Sequence, residues 1–108
     1  MNEKHYQVIW TQTAQLDLKR IIQFIAADSE ARAKEVYFAI KEKAENLFFM
    51  PSRGRIVPEL REIGIPMYRE LVSPPWRIIY KTEDSKVWVL AIIDGRRNME
   101  DILFDRLI

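Results

Sequence analysis

The chain has 108 residues, with 17 lysines and arginines against 16 aspartates and glutamates, one histidine and no cysteine. This length suits one modest core, so we predict a single domain over residues 1–108. The net charge of +1 points to no particular partner, the lack of cysteine excludes disulfides and thiolate metal sites, and a lone histidine cannot hold a metal.

The hydropathy pattern argues against a membrane protein. No apolar run approaches the ~20 residues of a membrane-spanning helix. The first residues, Met-Asn-Glu-Lys-His, lack the charged and then apolar layout of a secretory signal. We therefore expect a cytoplasmic protein with no membrane association, no cofactor and no metal.

The first half of the chain predicts one strand and two helices. Residues 6–10 alternate as a short strand does, and apolar residues then recur at helical spacing from Ala14 to Ile25. Thr11 or Thr13 can cap this first helix, with Asp17 near the positive end of its dipole. Ser29 can cap a second amphipathic helix that ends at Met50, before a proline. Two such helices form an antiparallel hairpin whose apolar stripes need a sheet to cover them.

Residues 51–66 read as a long connection. Three prolines and two glycines in this stretch exclude a long regular element, and connections of this length are often functional. From residue 51 to residue 82 there are six basic residues against three glutamates, and five of the six are arginine. Arginine suits two-pronged recognition of phosphate or carboxylate, so this region is a candidate anion-binding surface.

The last part of the chain predicts a three-stranded antiparallel meander and a short helix. Three β-rich runs over residues 67–97 are separated by turn signals at residues 73–75 and 83–86, and an apolar-periodic tail runs from Met99 to Leu107. The predicted class is α+β: an N-terminal strand and an antiparallel helical hairpin packed on a small, mainly antiparallel four-stranded sheet, with a short C-terminal helix.

The register of the meander decides whether its arginines share a face. Pairing residue 71 with residue 77 would place Arg69 and Arg77 on one face, and a slip of one residue would separate them. The sequence leaves both alternatives open.

Several short sequence motifs in the chain resemble those of the RelE/ParE superfamily of toxins from type II toxin–antitoxin systems, which include plasmid stabilisation systems. They are Gly54-Arg-Ile-Val-Pro-Glu-Leu, Tyr68-Arg-Glu-Leu-Val, Trp76-Arg-Ile-Ile-Tyr and Gly95-Arg-Arg. The order of predicted elements matches that superfamily over nearly the whole chain. The resemblance implies a toxin held in a hetero-oligomer by a cognate antitoxin.

The resemblance to RelE-like members of the superfamily implies a ribosome-dependent mRNA endonuclease that needs no metal and inhibits translation. By position, Arg77 matches the arginine at the scissile phosphate, Arg69 a first-strand basic residue and Arg97 the basic residue after the glycine. Glu59 resembles the carboxylate that YoeB-like members use as a general base. The partner would then be ribosome-bound mRNA. The remaining basic residues of the region would contact RNA phosphates: Arg53, Arg55, Arg61, Lys81 and Arg96.

Departures from the RelE pattern keep other functions open. Leu71 stands near a lysine position, Asp94 where many relatives carry histidine, and Leu103 or Phe104 near the tail tyrosine, so no general acid is evident. The opening Ala14-Gln-Leu-Asp-Leu looks as ParE-like as RelE-like. The alternatives are a ParE-like non-enzymatic inhibitor of DNA gyrase and a degenerate relative that only binds its antitoxin. RNA cleavage is our leading interpretation.

The candidate site residues also have purely structural interpretations. Arg77 could form a salt bridge to Glu70 or Glu59, Glu59 could order the loop, and Arg96 could neutralise Asp94 or Glu100. The nuclease hypothesis requires the guanidinium groups to converge on one concave patch. Arginines that point to opposite faces, or that are each held by a carboxylate, would favour a binding protein.

Overall fold

A five-stranded mixed sheet forms the centre of the fold in the computed structural model, which describes residues 5–108. The sheet order is β1-β5-β4-β3-β2, with β1 parallel to β5 and the other pairs antiparallel. The predicted α+β class is confirmed, but the predicted count of four strands was one too low. The strands are β1 (Gln7–Trp10), β2 (Arg55–Ile56), β3 (Arg69–Ser73), β4 (Trp76–Glu83) and β5 (Lys86–Asp94).

The missed strand is β2, which lies inside the connection that follows the hairpin. It has two residues, which pair with Arg69 and Glu70 of β3. A strand this short, set between Gly54 and Pro58, is too brief to show the alternation that identifies longer strands. The prediction that no long regular element forms in this connection is confirmed.

The helical hairpin consists of α1 (Gln12–Ala26) and α2 (Glu30–Glu45). Both predicted caps form: Thr11 Oγ1 accepts a hydrogen bond from the backbone N–H of Ala14 at 3.2 Å, and Ser29 Oγ accepts one from Arg32 at 3.1 Å. The second helix ends earlier than predicted, because residues 46–48 tighten into a 3₁₀ turn.

Helices cover both faces of the sheet. The hairpin packs Ala14, Leu18, Ile40 and Ala44 against Ile78 and its neighbours on one face. The other face is covered by a one-turn helix, α3 (Pro58–Arg61), and by the predicted C-terminal helix, α4 (Met99–Leu107). The buried residues on this second side are Val57, Leu60, Ile79, Ala91, Ile93, Met99 and Leu103.

The hydroxyl of Tyr80 ties the connection to the sheet. It donates a hydrogen bond to the carbonyl of Pro51 at 2.7 Å and accepts one from the backbone N–H of Gly54 at 2.9 Å. A Cβ at Gly54 would lie 2.4 Å from the carbonyl oxygen of Glu70, so only glycine permits this close approach. Burial raises the pKa of Tyr80 and keeps its donor proton in place. The connection is therefore held against the sheet.

Asp17 fastens α1 to the far end of β5. The strand β1 reaches only Val89 on β5, so Ile92 lies beyond the parallel pairing. Asp17 Oδ2 accepts a hydrogen bond from the backbone N–H of Ile92 at 3.0 Å, and Asp17 Oδ1 accepts one from Arg106 Nη2 at 2.6 Å. Asp17 thus joins α1, β5 and α4, a tertiary role that its place near the helix dipole did not indicate.

Candidate functional site

The strand register separates the two central arginines. In the ladder between β3 and β4, Arg69 lies opposite Tyr80 and Arg77 lies opposite Val72. Residues that are directly opposite in an antiparallel pair share a face, and successive residues alternate. Arg69 therefore lies on the opposite face of the sheet from Arg77. Of the two alternatives left open by the sequence, the structure has the separated one.

Arg77 is buried and held by two carboxylates. Its Nε donates to Glu70 Oε1 at 2.7 Å, its Nη1 to Glu59 Oε2 at 2.8 Å, and its Nη2 to Glu59 Oε1 at 2.6 Å. These bonds raise the pKa of Arg77, with the Glu59 pair as the largest cause. All three nitrogens of the guanidinium already have an anionic partner.

Glu70 connects this pair to a second arginine. Its side chain is fully buried, and Glu70 Oε2 accepts a hydrogen bond from Arg55 Nε at 2.7 Å. Arg55, Glu70, Arg77 and Glu59 form a continuous chain of alternating charge, which we call the Arg–Glu network. With two cations and two anions the network is neutral. The structural interpretation of Arg77, a salt bridge to Glu70 or Glu59, is confirmed with both partners.

Glu59 is poorly suited to take up a proton. It lies on α3, and the hydrogen bonds from Arg77 are the largest cause that lowers its pKa, against a smaller opposing effect of burial. Both of its oxygens are bound to Arg77, at 2.8 and 2.6 Å. A general base works best with a pKa near the operating pH, and Glu59 is moved away from it.

We predict that the pKa of the Glu59 carboxyl lies below the ordinary value of a glutamate, because Arg77 donates to both of its oxygens. Its ion pair is complete above the unfolded-state pKa, and the stability it contributes is lost as the pH falls through the lower folded-state pKa. A ¹³C NMR titration of the Glu59 side-chain carboxyl checks this, and the midpoint should move upward in Arg77→Met. A wild-type midpoint at or above the ordinary value of a glutamate would contradict it.

The other predicted catalytic residues, Arg69 and Arg97, and the predicted phosphate contact Arg96 lie outside the Arg–Glu network. Arg69 Nη1 donates to the carbonyl of Gly54 at 2.8 Å on the helix-hairpin side. Arg96 is exposed and grips Asp94, with its Nε 2.9 Å from Oδ1 and its Nη2 2.7 Å from Oδ2. This pair lowers the pKa of Asp94 to about 2 and confirms the neutralising interpretation of Arg96. Arg97 is exposed, and no ion pair or side-chain hydrogen bond holds it within residues 5–108.

The predicted RNA-phosphate contacts are also dispersed. Arg53 and Arg61 are exposed on the connection, and Lys81 Nζ lies 3.5 Å from Glu83 Oε2. Only Arg55 joins Arg77 and Glu59. The structure therefore brings three of the nine predicted site residues into the Arg–Glu network and places the rest elsewhere.

A second candidate site is an open cleft of about 570 Å³ between α1, the turn after β5 and α4. Its floor is largely isoleucine, and its rim carries arginines from four segments of the chain. Phe24 stands at its edge with 81% of its surface exposed. We call this the arginine cleft. Its charged lining residues are Arg20, Arg32, Arg96, Arg97, Arg106, Asp17, Asp28 and Asp94.

Sequence reasoning singled out Arg96 and Arg97 but missed the rest of the arginine cleft. One signal was available in α1. Phe24 falls outside the apolar stripe of that helix, and this spacing predicts that its large aromatic side chain lies on the polar face. The contribution of Arg106 could not be anticipated, because it depends on where α4 docks.

Within residues 5–108, no group of three or more histidine, cysteine, aspartate or glutamate side chains is placed to hold a metal ion. None of the helices in this same range is long and apolar enough to cross a membrane.

Comparisons with known proteins agree with the resemblance. Residues 8–99 match the family model described as the ParE toxin of the type II toxin–antitoxin system parDE. The chain is 33% identical over 92 residues to Toxin RelE2 of Caulobacter vibrioides, which covers 84% of this chain and 97% of that protein.

Two solved structures share the fold. One is described as the chromosomal ParDE toxin–antitoxin system from P. aeruginosa; it has a TM-score of 0.68 at 19% identity, and covers 84% of this chain and 97% of that one. The other is the RelBE2 toxin–antitoxin complex from Mycobacterium tuberculosis, with a TM-score of 0.62 at 20% identity, covering 86% of this chain and 94% of that one.

Proposed function

The chain belongs to the ParE/RelE family of toxins from type II toxin–antitoxin systems, and from this premise we propose that it acts by binding and inhibiting DNA gyrase, without catalysis of its own. We further infer that a cognate antitoxin binds and restrains it, since both structural relatives are toxin–antitoxin systems. The gyrase function is the ParE-like alternative of the sequence analysis, and it now takes precedence over RNA cleavage.

The observation that carries this proposal is the state of Arg77. An endonuclease of this type needs a guanidinium whose donors are free to meet charge as it develops on the scissile phosphate. Here all three nitrogens of Arg77 are bound to Glu59 and Glu70. Freeing them would break a buried ion pair and leave a fully buried Glu70 carboxylate without Arg77, which typically costs several kcal/mol.

The groups available for proton transfer also favour a binding toxin over an endonuclease. In-line attack by a 2′-hydroxyl requires a base, and the leaving 5′-oxygen requires an acid. The lowered pKa of Glu59 makes it a weak base. Leu71 and Asp94 stand at positions where the RelE pattern has lysine and many relatives have histidine, and the Asp94 carboxylate is engaged by Arg96. A binding toxin needs none of these groups.

RNA cleavage remains the competing function, and two observations favour it. The 33%-identical relative is named RelE2, and Arg55, Glu59 and Arg77 do lie together. In a binding toxin the same cluster has a structural role. Arg77 and Glu70 are buried within the Arg–Glu network, and its two positive and two negative charges cancel.

One experiment separates the two functions. The purified chain is added to DNA gyrase in a supercoiling assay, and messenger RNA ends are mapped by primer extension in cells that express the chain. We expect supercoiling to be lost and the RNA ends to be unchanged. Codon-linked cuts that vanish in a folded Arg77→Ala variant, together with normal supercoiling, would establish the endonuclease instead.

A further inference from the structure

We propose that the arginine cleft is the surface through which the toxin holds its target, and that it takes an acidic protein segment with an apolar anchor side chain. The proposal rests on the gyrase inhibition proposed above and assigns that activity to a defined face of the fold. The cleft lies between α1 and the turn after β5, and none of the four residues of the Arg–Glu network lines it.

Charge is the first argument. Five arginines line the cleft against three aspartates, so its lining carries a surplus of two positive charges. Two of the aspartates are already engaged, Asp17 by Arg106 and Asp94 by Arg96. Arg20, Arg32 and Arg97 are exposed and have no ion pair within residues 5–108. These three side chains are free to meet carboxylates on a partner.

The mainly aliphatic floor of the cleft favours a protein over a nucleic acid. It is built from side chains such as Ile21, Ile25, Ile93 and Ile102, with Trp76 beside them. Aliphatic floors accept apolar side chains, whereas single-stranded nucleic acids stack their bases on aromatic platforms along a basic groove. Phe24, exposed at the edge, adds an apolar anchor of the kind that dominates protein interfaces.

The position of the cleft favours the target over the antitoxin. Trp76, Arg96 and Arg97 belong to the motifs that carry the resemblance to the toxins, and they line this cleft. The other arginines in those motifs are bound to the protein's own groups: Arg55, Arg69, Arg77 and Arg96. Arg97 is the member of that set that stays available to a partner.

The test uses the full chain and purified gyrase in the supercoiling assay. The double variant Arg20→Glu, Arg97→Glu reverses two rim charges. The matched control Lys34→Glu, Lys86→Glu makes the same net change at two exposed lysines outside the cleft. We expect the cleft variant to need at least ~10-fold more protein for half-inhibition, since each reversed charge would repel the carboxylates of the partner segment across the interface. The control should inhibit like the wild type.

A second variant guards against misfolding. Phe24 is 81% exposed, so Phe24→Ala should leave the melting temperature unchanged while it weakens inhibition. Equal inhibition by the wild type and by both cleft variants would overturn the cleft proposal and leave gyrase inhibition standing. A wild-type chain that does not inhibit gyrase would instead overturn the proposed function. Unchanged inhibition with a lower affinity for the purified antitoxin would assign the cleft to the antitoxin and likewise overturn the proposal.

Discussion

Replacing Arg77 with alanine is expected to lower the free energy of unfolding by about 3–5 kcal/mol, the usual cost of removing one partner from a buried ion pair. The Arg77 side chain is 9% exposed and that of Glu70 is 0% exposed, so solvent cannot replace the lost bonds. Urea unfolding followed by circular dichroism measures the change, with the denaturant slope unchanged if both states keep their compactness.

Two companion variants test the reason for this loss. Arg96→Ala removes an arginine whose Nη2 lies 2.7 Å from Asp94 Oδ2. The Arg96 side chain is 75% exposed, so the free energy of unfolding should fall far less than in Arg77→Ala. The double variant Arg77→Met, Glu70→Leu removes both buried charges and should be more stable than Arg77→Ala alone. If Arg77→Ala costs no more than Arg96→Ala, the Arg–Glu network is not a structural element, and the case against catalysis weakens.

Replacing Asp17 with alanine should lower the free energy of unfolding by about 2–3 kcal/mol, because the change leaves a buried backbone donor unsatisfied. The N–H of Ile92 would lose its acceptor at 3.0 Å, and Arg106 would lose its carboxylate. Denaturant unfolding measures the loss, and amide hydrogen exchange at Ile92 should become faster.

The contributions of the two bonds can be separated with further variants. Asp17→Asn keeps an acceptor oxygen for Ile92 and loses only the charge. Its free energy of unfolding should therefore lie between those of the wild type and Asp17→Ala. Arg106→Ala leaves the hydrogen bond between Asp17 and Ile92 intact, and the Arg106 side chain is already 31% exposed. This variant should therefore lose the least free energy of unfolding. An Asp17→Asn variant as unstable as Asp17→Ala would show that the ion pair, and not the backbone bond, holds α1 to β5.

Most of the fold could be predicted from the sequence because its signals are local. The caps at Thr11 and Ser29, the breaking prolines and the alternation of the meander depend only on neighbouring residues. The two-residue strand β2 could not be predicted, since its pairing with β3 depends on how Tyr80 and Gly54 bring the connection against the sheet.

The candidate site was less predictable because it depends on register and docking. A shift of one residue between β3 and β4 decides whether Arg69 joins Arg77, and the sequence contains no feature that fixes it. Residue types indicated that Arg77 would meet an anion. Whether that anion is a phosphate or the protein's own Glu59 depends on where α3 docks. The arginine cleft likewise forms only when α4 brings Arg106 to Asp17.

The parallel pairing of the first and last strands has a consequence for the order in which the fold can form. Residues 7–10 of β1 pair with residues 86–89 of β5, and Asp17 reaches Ile92, 75 residues further along. Contacts so distant along the chain raise the contact order, and closing them slows folding. During synthesis the hairpin helices emerge long before the strand that covers their apolar stripes. Native packing of the first half must therefore wait for the completion of β5.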